Sequence, residues 1–150
     1  SGASNVNTNE SPVYDIVCYR GDVAWTYKDG RPLAIVPSSF AYGVIEVKRG
    51  VFESRLERFN MQLQEQANYL RHLDCQAKRA FVGVQFSGNQ IDDIQTNLDA
   101  DYISLIGDIN RAGTAKSMTK PQDGGQTCYV GRGALDKLVN KFAEEEIISS

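Results

Sequence analysis

The sequence predicts an α/β fold with a mixed central sheet flanked by helices. Three observations carry that expectation. Short runs rich in β-branched and aromatic residues recur along the chain, as strands do. Between two of them the apolar spacing changes to a helical period. The chain has 150 residues and 41% hydrophobic content, enough for one domain with a sizeable core.

The elements follow in order. Residues 1–12, SGASNVNTNESP, are small and polar, and read as a frayed terminus or a short strand before a turn. Residues 13–19, VYDIVCY, read as a strand. Residues 20–32 are loop-like, with a turn signal at Lys28-Asp29-Gly30, and the apolar residues 33–36 stop at Pro37. Residues 42–49, YGVIEVKR, form the next strong strand, closed by Gly50. Phe52, Leu56, Phe59, Leu63, Ala67, Leu70 and Leu73 then recur three or four apart, which is one face of an α-helix. Glu53, Glu57 and Arg58 lie off that stripe and read as solvated. Residues 79–86 read as a strand, 89–100 as a helix and 101–108 as a strand. Residues 109–126 are polar and read as a loop insertion, 127–132 as an edge strand, and 133–148 as an amphipathic helix with Leu135, Leu138, Val139 and Phe142 on one side. No repeat or second domain is visible.

Composition narrows the function classes. The net charge of −3 weighs against general phosphate neutralisation, so a nucleic-acid contact would need a local patch, a metal or a partner. Cys18, Cys75 and Cys128 are widely spaced and form no C-x-x-C pair, so free thiols in a reducing compartment are expected. A lone histidine, His72, rules out an all-histidine metal site. With no signal peptide and no bilayer-length apolar run, the expected location is cytoplasmic and no membrane partner is expected.

The chemistry-bearing residues sit on the two strong strands. Side chains alternate along a strand. Val44, Glu46 and Lys48 therefore share one face, and Ile45 and Val47 the other. On the preceding strand Asp15 shares a face with Val13 and Val17. Ionised groups among apolar neighbours are costly unless paired or metal-bound. If the strands pair, Asp15, Glu46 and Lys48 can meet, and two carboxylates plus waters and phosphate oxygens suit Mg²⁺. An ordinary ion pair between Glu46 and Lys48 on a half-exposed face is the competing explanation.

An aspartate on one strand, a variable loop, and E-x-K on the next resembles the signature of the PD-(D/E)xK, restriction-endonuclease-like nuclease superfamily. Here it reads Asp15-Ile16-Val17 and Glu46-Val47-Lys48. SPVYDIVCY followed by VIEVKRG further resembles a family of uncharacterised bacterial nuclease-like domains, with Ser11 and Pro37 at matching places, over roughly residues 2–106. The resemblance implies a restriction-endonuclease-like mixed sheet and Mg²⁺- or Mn²⁺-dependent hydrolysis of nucleic-acid phosphodiesters, with a role in defence against foreign DNA. It implies Asp15, Glu46 and the Val47 carbonyl as metal ligands, and Lys48 as the group that orients water or stabilises charge. The superfamily's helix before the first core strand is not recognisable here. Glu10, the only acid upstream of Asp15, is a substitute candidate.

Gln66 and Tyr69, on the long helix, are accessory candidates, with solvated amides the alternative. Arg49, Lys116, Lys120 and Arg132 are candidate nucleic-acid contacts, and Trp25 and Tyr27 candidate base-stacking residues. The expected partner is nucleic acid, DNA ahead of RNA, with a second copy of the chain or another protein subunit as further candidates. The alternative function is a nuclease-like domain that binds nucleic acid or protein without cutting.

Overall fold

A computed structural model describes residues 12–108, 118–121 and 125–148 of the chain. Its backbone is a six-stranded mixed sheet between two helical layers. The strands are β1 (Ile16–Tyr19), β4 (Ala41–Val51), β5 (Lys78–Phe86), β6 (Tyr102–Leu105), β8 (Thr127–Val130) and β7 (Met118–Pro121), in that spatial order. β4, β5, β6 and β8 run parallel, while β1 and β7 are antiparallel edges. This agrees with the predicted α/β class. Parallel strands carry crossovers on their faces, which is why their interiors are apolar on both sides.

Helix α1 (Glu53–His72) connects β4 to β5, and α2 (Ile91–Asn97) connects β5 to β6. Both cover one sheet face. Leu56, Phe59 and Leu63 of α1 pack there with Ile91 and Ile94 of α2 against Phe81, Ile103 and Leu105. Helix α3 (Ala134–Ile148) covers the other face, where Ala134, Leu138 and Phe142 meet Ile45, Ala80, Val82 and Tyr129. The expected α3 stripe is therefore split. Leu138 and Phe142 are buried, but Leu135 and Val139 are exposed, because only about a third of a helix faces one flat sheet.

Three segments depart from expectation. The loop-like residues after β1 contain a hairpin, β2 (Ala24–Lys28) and β3 (Arg31–Ile35), which forms its own two-stranded sheet. Its turn residues Asp29 and Gly30 both have positive φ, 54° and 75°, as a two-residue type I′ turn requires. Residues 127–130, expected at an edge, lie inside the sheet between β6 and β7. The outer partner β7 comes from residues expected to be loop. A proline in that segment weakens its strand signal, although an edge strand tolerates one.

Among the described residues Cys18, Cys75 and Cys128 form no disulfide. Among the described residues no helix is long and apolar enough to cross a membrane.

Candidate active site

The candidate site is built at the junction of β1, β4 and α1. β1 pairs antiparallel with β4, Ile16 opposite Ile45 and Val17 opposite Val44. Extending that register by one residue sets Asp15 opposite Glu46. The ladder does not continue in backbone form. Asp15 Oδ2 accepts a hydrogen bond from the Val47 N–H at 2.7 Å, where a longer ladder would offer the Tyr14 carbonyl. The carboxylate thus ends the strand and is held at its edge. Successive residues of a strand direct their backbone groups to opposite edges. Since the Val47 N–H faces β1, its carbonyl faces the same edge.

Glu46 projects from the opposite side of the strand to Ile45 and is 8% exposed. A buried carboxylate needs partners, and Glu46 has two. Lys48 Nζ lies 3.1 Å from its Oε1, and Gln66 Nε2 donates to its Oε2 at 2.8 Å. The same Gln66 nitrogen donates to the Val13 carbonyl at 3.3 Å, so α1 is stitched to β4 and to the segment that leads into β1. The Lys48 ammonium also stands over the Phe59 ring, 5.3 Å from its centroid. The ion pair that offered a bland explanation is therefore present, but it lies in the space between sheet and helix rather than on a wet surface.

Tyr69 lies beside Tyr14. Burial, then the proximity of Tyr69 and Cys75, pushes the Tyr14 phenol above its ordinary range. The Tyr14 hydroxyl is buried and has no hydrogen-bond partner among the described residues. Glu10 and Lys116 lie outside the described residues, as does the side chain of Lys120. Arg49 is exposed on β4 and Arg132 is exposed between β8 and α3. β8 is three strands from β4, about 14 Å at ordinary strand spacing. Arg49 and Arg132 thus do not form one patch with each other. Trp25 and Tyr27 stand on the hairpin beyond the Tyr19–Ala41 end of β1 and β4, away from the Asp15 end.

The donor set can be weighed against Mg²⁺. Among the described residues, no three His, Cys, Asp or Glu side chains form a metal-holding group. What the junction offers is two carboxylates and a backbone carbonyl, all hard oxygen donors. Mg²⁺ takes one or two carboxylates and keeps several waters, so these residues fit it. Each carboxylate oxygen has two lone pairs, so the bonds to Lys48, Gln66 and Val47 do not exhaust Asp15 and Glu46.

Sequence reading located Asp15, Glu46, Lys48 and Gln66 but treated Phe59 as core alone and Arg58 as merely solvated. Arg58 also lies over the Phe59 ring, at 5.8 Å. Its place four residues before Gln62 and eight before Gln66 was the available signal.

No family model matches the chain, and no curated protein or solved structure matches it.

Proposed function

We propose that this chain is a Mg²⁺-dependent nuclease that hydrolyses nucleic-acid phosphodiester bonds. The observation that carries the reading is the convergence of Asp15, Glu46, Lys48 and the Val47 backbone at one strand junction, closed from behind by Gln66. Asp15, Glu46 and the Val47 carbonyl would hold the cation. When bound, it would supply Lewis-acid polarisation of a phosphate oxygen and an acidified water. Lys48 holds a positive charge beside Glu46, where it can face a phosphate or donate to the attacking water. Gln66 fixes the Glu46 carboxylate, and Phe59 shields one side of the Lys48 ammonium from solvent. DNA is the first substrate class; defence against foreign DNA is inferred from family resemblance, and action in the cytoplasm from a sequence with no recognisable signal peptide or bilayer-length apolar run.

The test is cleavage of plasmid, single-stranded DNA and RNA with Mg²⁺ or Mn²⁺. Asp15→Ala, Glu46→Ala and Lys48→Ala should each abolish cleavage, as should EDTA. Undiminished cleavage by all three variants overturns the site assignment.

Two observations favour a second reading, a nuclease-like module that binds nucleic acid or protein without cutting. Both Glu46 oxygens already have protein partners, and the net charge is −3. A wild-type protein that binds labelled DNA, cleaves nothing with either cation and gains no thermal stability from them supports that reading.

A further inference from the structure

The start of α1 carries two arginines that neither the motif nor the fold accounts for. Arg55 and Arg58 are exposed and, among the described residues, pair with no carboxylate. On a helix an arginine pairs with an acid three or four residues away, and neither of these has one at that spacing. Both instead lean on aromatic rings. The Arg58 guanidinium is 5.8 Å from the Phe59 centroid, the ring that Lys48 also stands over. The Arg55 guanidinium is 5.7 Å from the Phe52 centroid.

Gly50 makes room for the second of these. A Cβ at Gly50 would lie 2.8 Å from the Phe52 ring and 3.2 Å from Arg55 Nη1. The bare glycine thus lets the Arg55 guanidinium settle at the exit of β4, two residues beyond Lys48. Along α1, Arg58, Gln62 and Gln66 recur every four residues and so share a stripe. Gln66 at one end of that stripe bonds Glu46. Arg58, at the other end, shares a ring with Lys48. Between them the Gln62 side-chain oxygen is buried with no hydrogen-bond partner among the described residues. Arg58 and Gln62 also line an open hollow with Met61, Gln64, Asn68 and the carboxylate Glu65. Two guanidinium groups that pair with no carboxylate among the described residues, beside a candidate catalytic carboxylate and its lysine, mark a place for an acceptor-rich anion. The amide oxygen and NH₂ exchange places by a half-turn, so Gln62 can donate as well as accept.

We propose that Arg55, Arg58 and Gln62 form a phosphate-binding clamp that holds the nucleic-acid backbone next to the Glu46–Lys48 pair. The choice of nucleic acid as ligand rests on the nuclease reading, whereas the clamp itself rests on the unpaired guanidinium groups. Guanidinium forks match phosphate oxygens in two-point contacts. A clamp of this kind also answers how a chain of net charge −3 engages a polyanion, through a local cluster of Lys48, Arg55 and Arg58.

The test is fluorescence anisotropy with labelled single-stranded and duplex oligonucleotides in EDTA, from about 50 to 200 mM salt. The double variant Arg55→Ala/Arg58→Ala is expected to bind about tenfold or more weakly. Its plot of log affinity against log salt should be shallower by about 1.4 on single strands and about 1.8 on duplex. Arg58→Lys should keep the slope and lose part of the affinity, because a lysine retains the charge but not the fork. Gln62→Leu should weaken binding without changing the slope. Lys137→Ala, on the opposite helical layer, should bind as the wild type does. Wild-type affinity and slope in the double variant overturn the clamp, as does a wild type that binds neither oligonucleotide. Cleavage assays with Mn²⁺ on the same proteins separate the two ideas. Arginine-dependent binding without any cleavage keeps the clamp and removes the nuclease reading. Cleavage with arginine-independent binding does the reverse.

Discussion

Glu46 is the residue on which the site turns. It brings a carboxylate into the layer between sheet and helix, and Lys48 and Gln66 each answer one of its oxygens. Removing one partner leaves a buried charge under-satisfied. Lys48→Ala is therefore expected to destabilise the protein by about 1–3 kcal/mol, read from urea unfolding. The double variant Glu46→Gln/Lys48→Met should recover most of that loss, because it removes both charges together. Losses that simply add would show that the two residues do not act as a unit. At this scale much was legible from alternation alone. Glu46 and Lys48 could be assigned to one face from their two-residue spacing among the valines around them. The bond from the Val47 N–H to Asp15 could not be read, since it depends on where β1 stops pairing with β4.

Among the elements, the contrast is between α1 and the β2–β3 hairpin. α1 is fixed at several points. Gln66 ties it to β4 and to Val13 ahead of β1, and Arg79 at the start of β5 donates to the Leu63 carbonyl at 3.2 Å and to Asp99. The hairpin is exposed at every residue of both strands. An isolated two-stranded sheet is marginally stable in water. Its amides are therefore expected to exchange hydrogen far faster than those of β5, with β5 approaching the global unfolding limit. Equal protection in the two elements would show the hairpin to be covered by something else. The long helix was legible because seven apolar residues repeat at its period. The hairpin was not, because its strands are only five residues each and their large apolar residues, Trp25, Tyr27, Leu33 and Ile35, are exposed, so no core-facing run marks it. Only the Asp29-Gly30 turn announced it, and turn chemistry marks a bend without saying whether strands flank it.

For the whole molecule, alkaline pH is the informative stress. Burial raises the phenols of Tyr14, Tyr42, Tyr102 and Tyr129 above the ordinary value of 10.0, with further help at Tyr102 from its hydrogen bond to Glu145. Burial likewise raises the Cys18 thiol above 9.0. Each group is more readily ionised in the unfolded chain than in the native one. Their contribution is complete below the unfolded values and is lost as pH rises through the native ones. The urea midpoint should hold steady from about pH 7 to 9, fall above that, and fall more steeply above about pH 10. Tyr14→Phe should change little at neutral pH, since its hydroxyl has no partner among the described residues, and should make the alkaline fall shallower. A midpoint that rises above pH 10 would contradict the sign of these shifts.

By itself the amino-acid order determined the α/β class, the strong strands, the two long helices and the face that Glu46 and Lys48 share. These follow from periodicity, which is local, because a side chain's direction depends on its own few neighbours. The tertiary structure alone decided that β8 is interior and that β1 and β4 pair in the register that sets Asp15 by Val47. It alone placed Gln66 on Glu46, and Arg58 and Lys48 on one ring. Those facts depend on which distant segments share a core, through contacts between residues far apart in the chain, and local spacing carries no record of them.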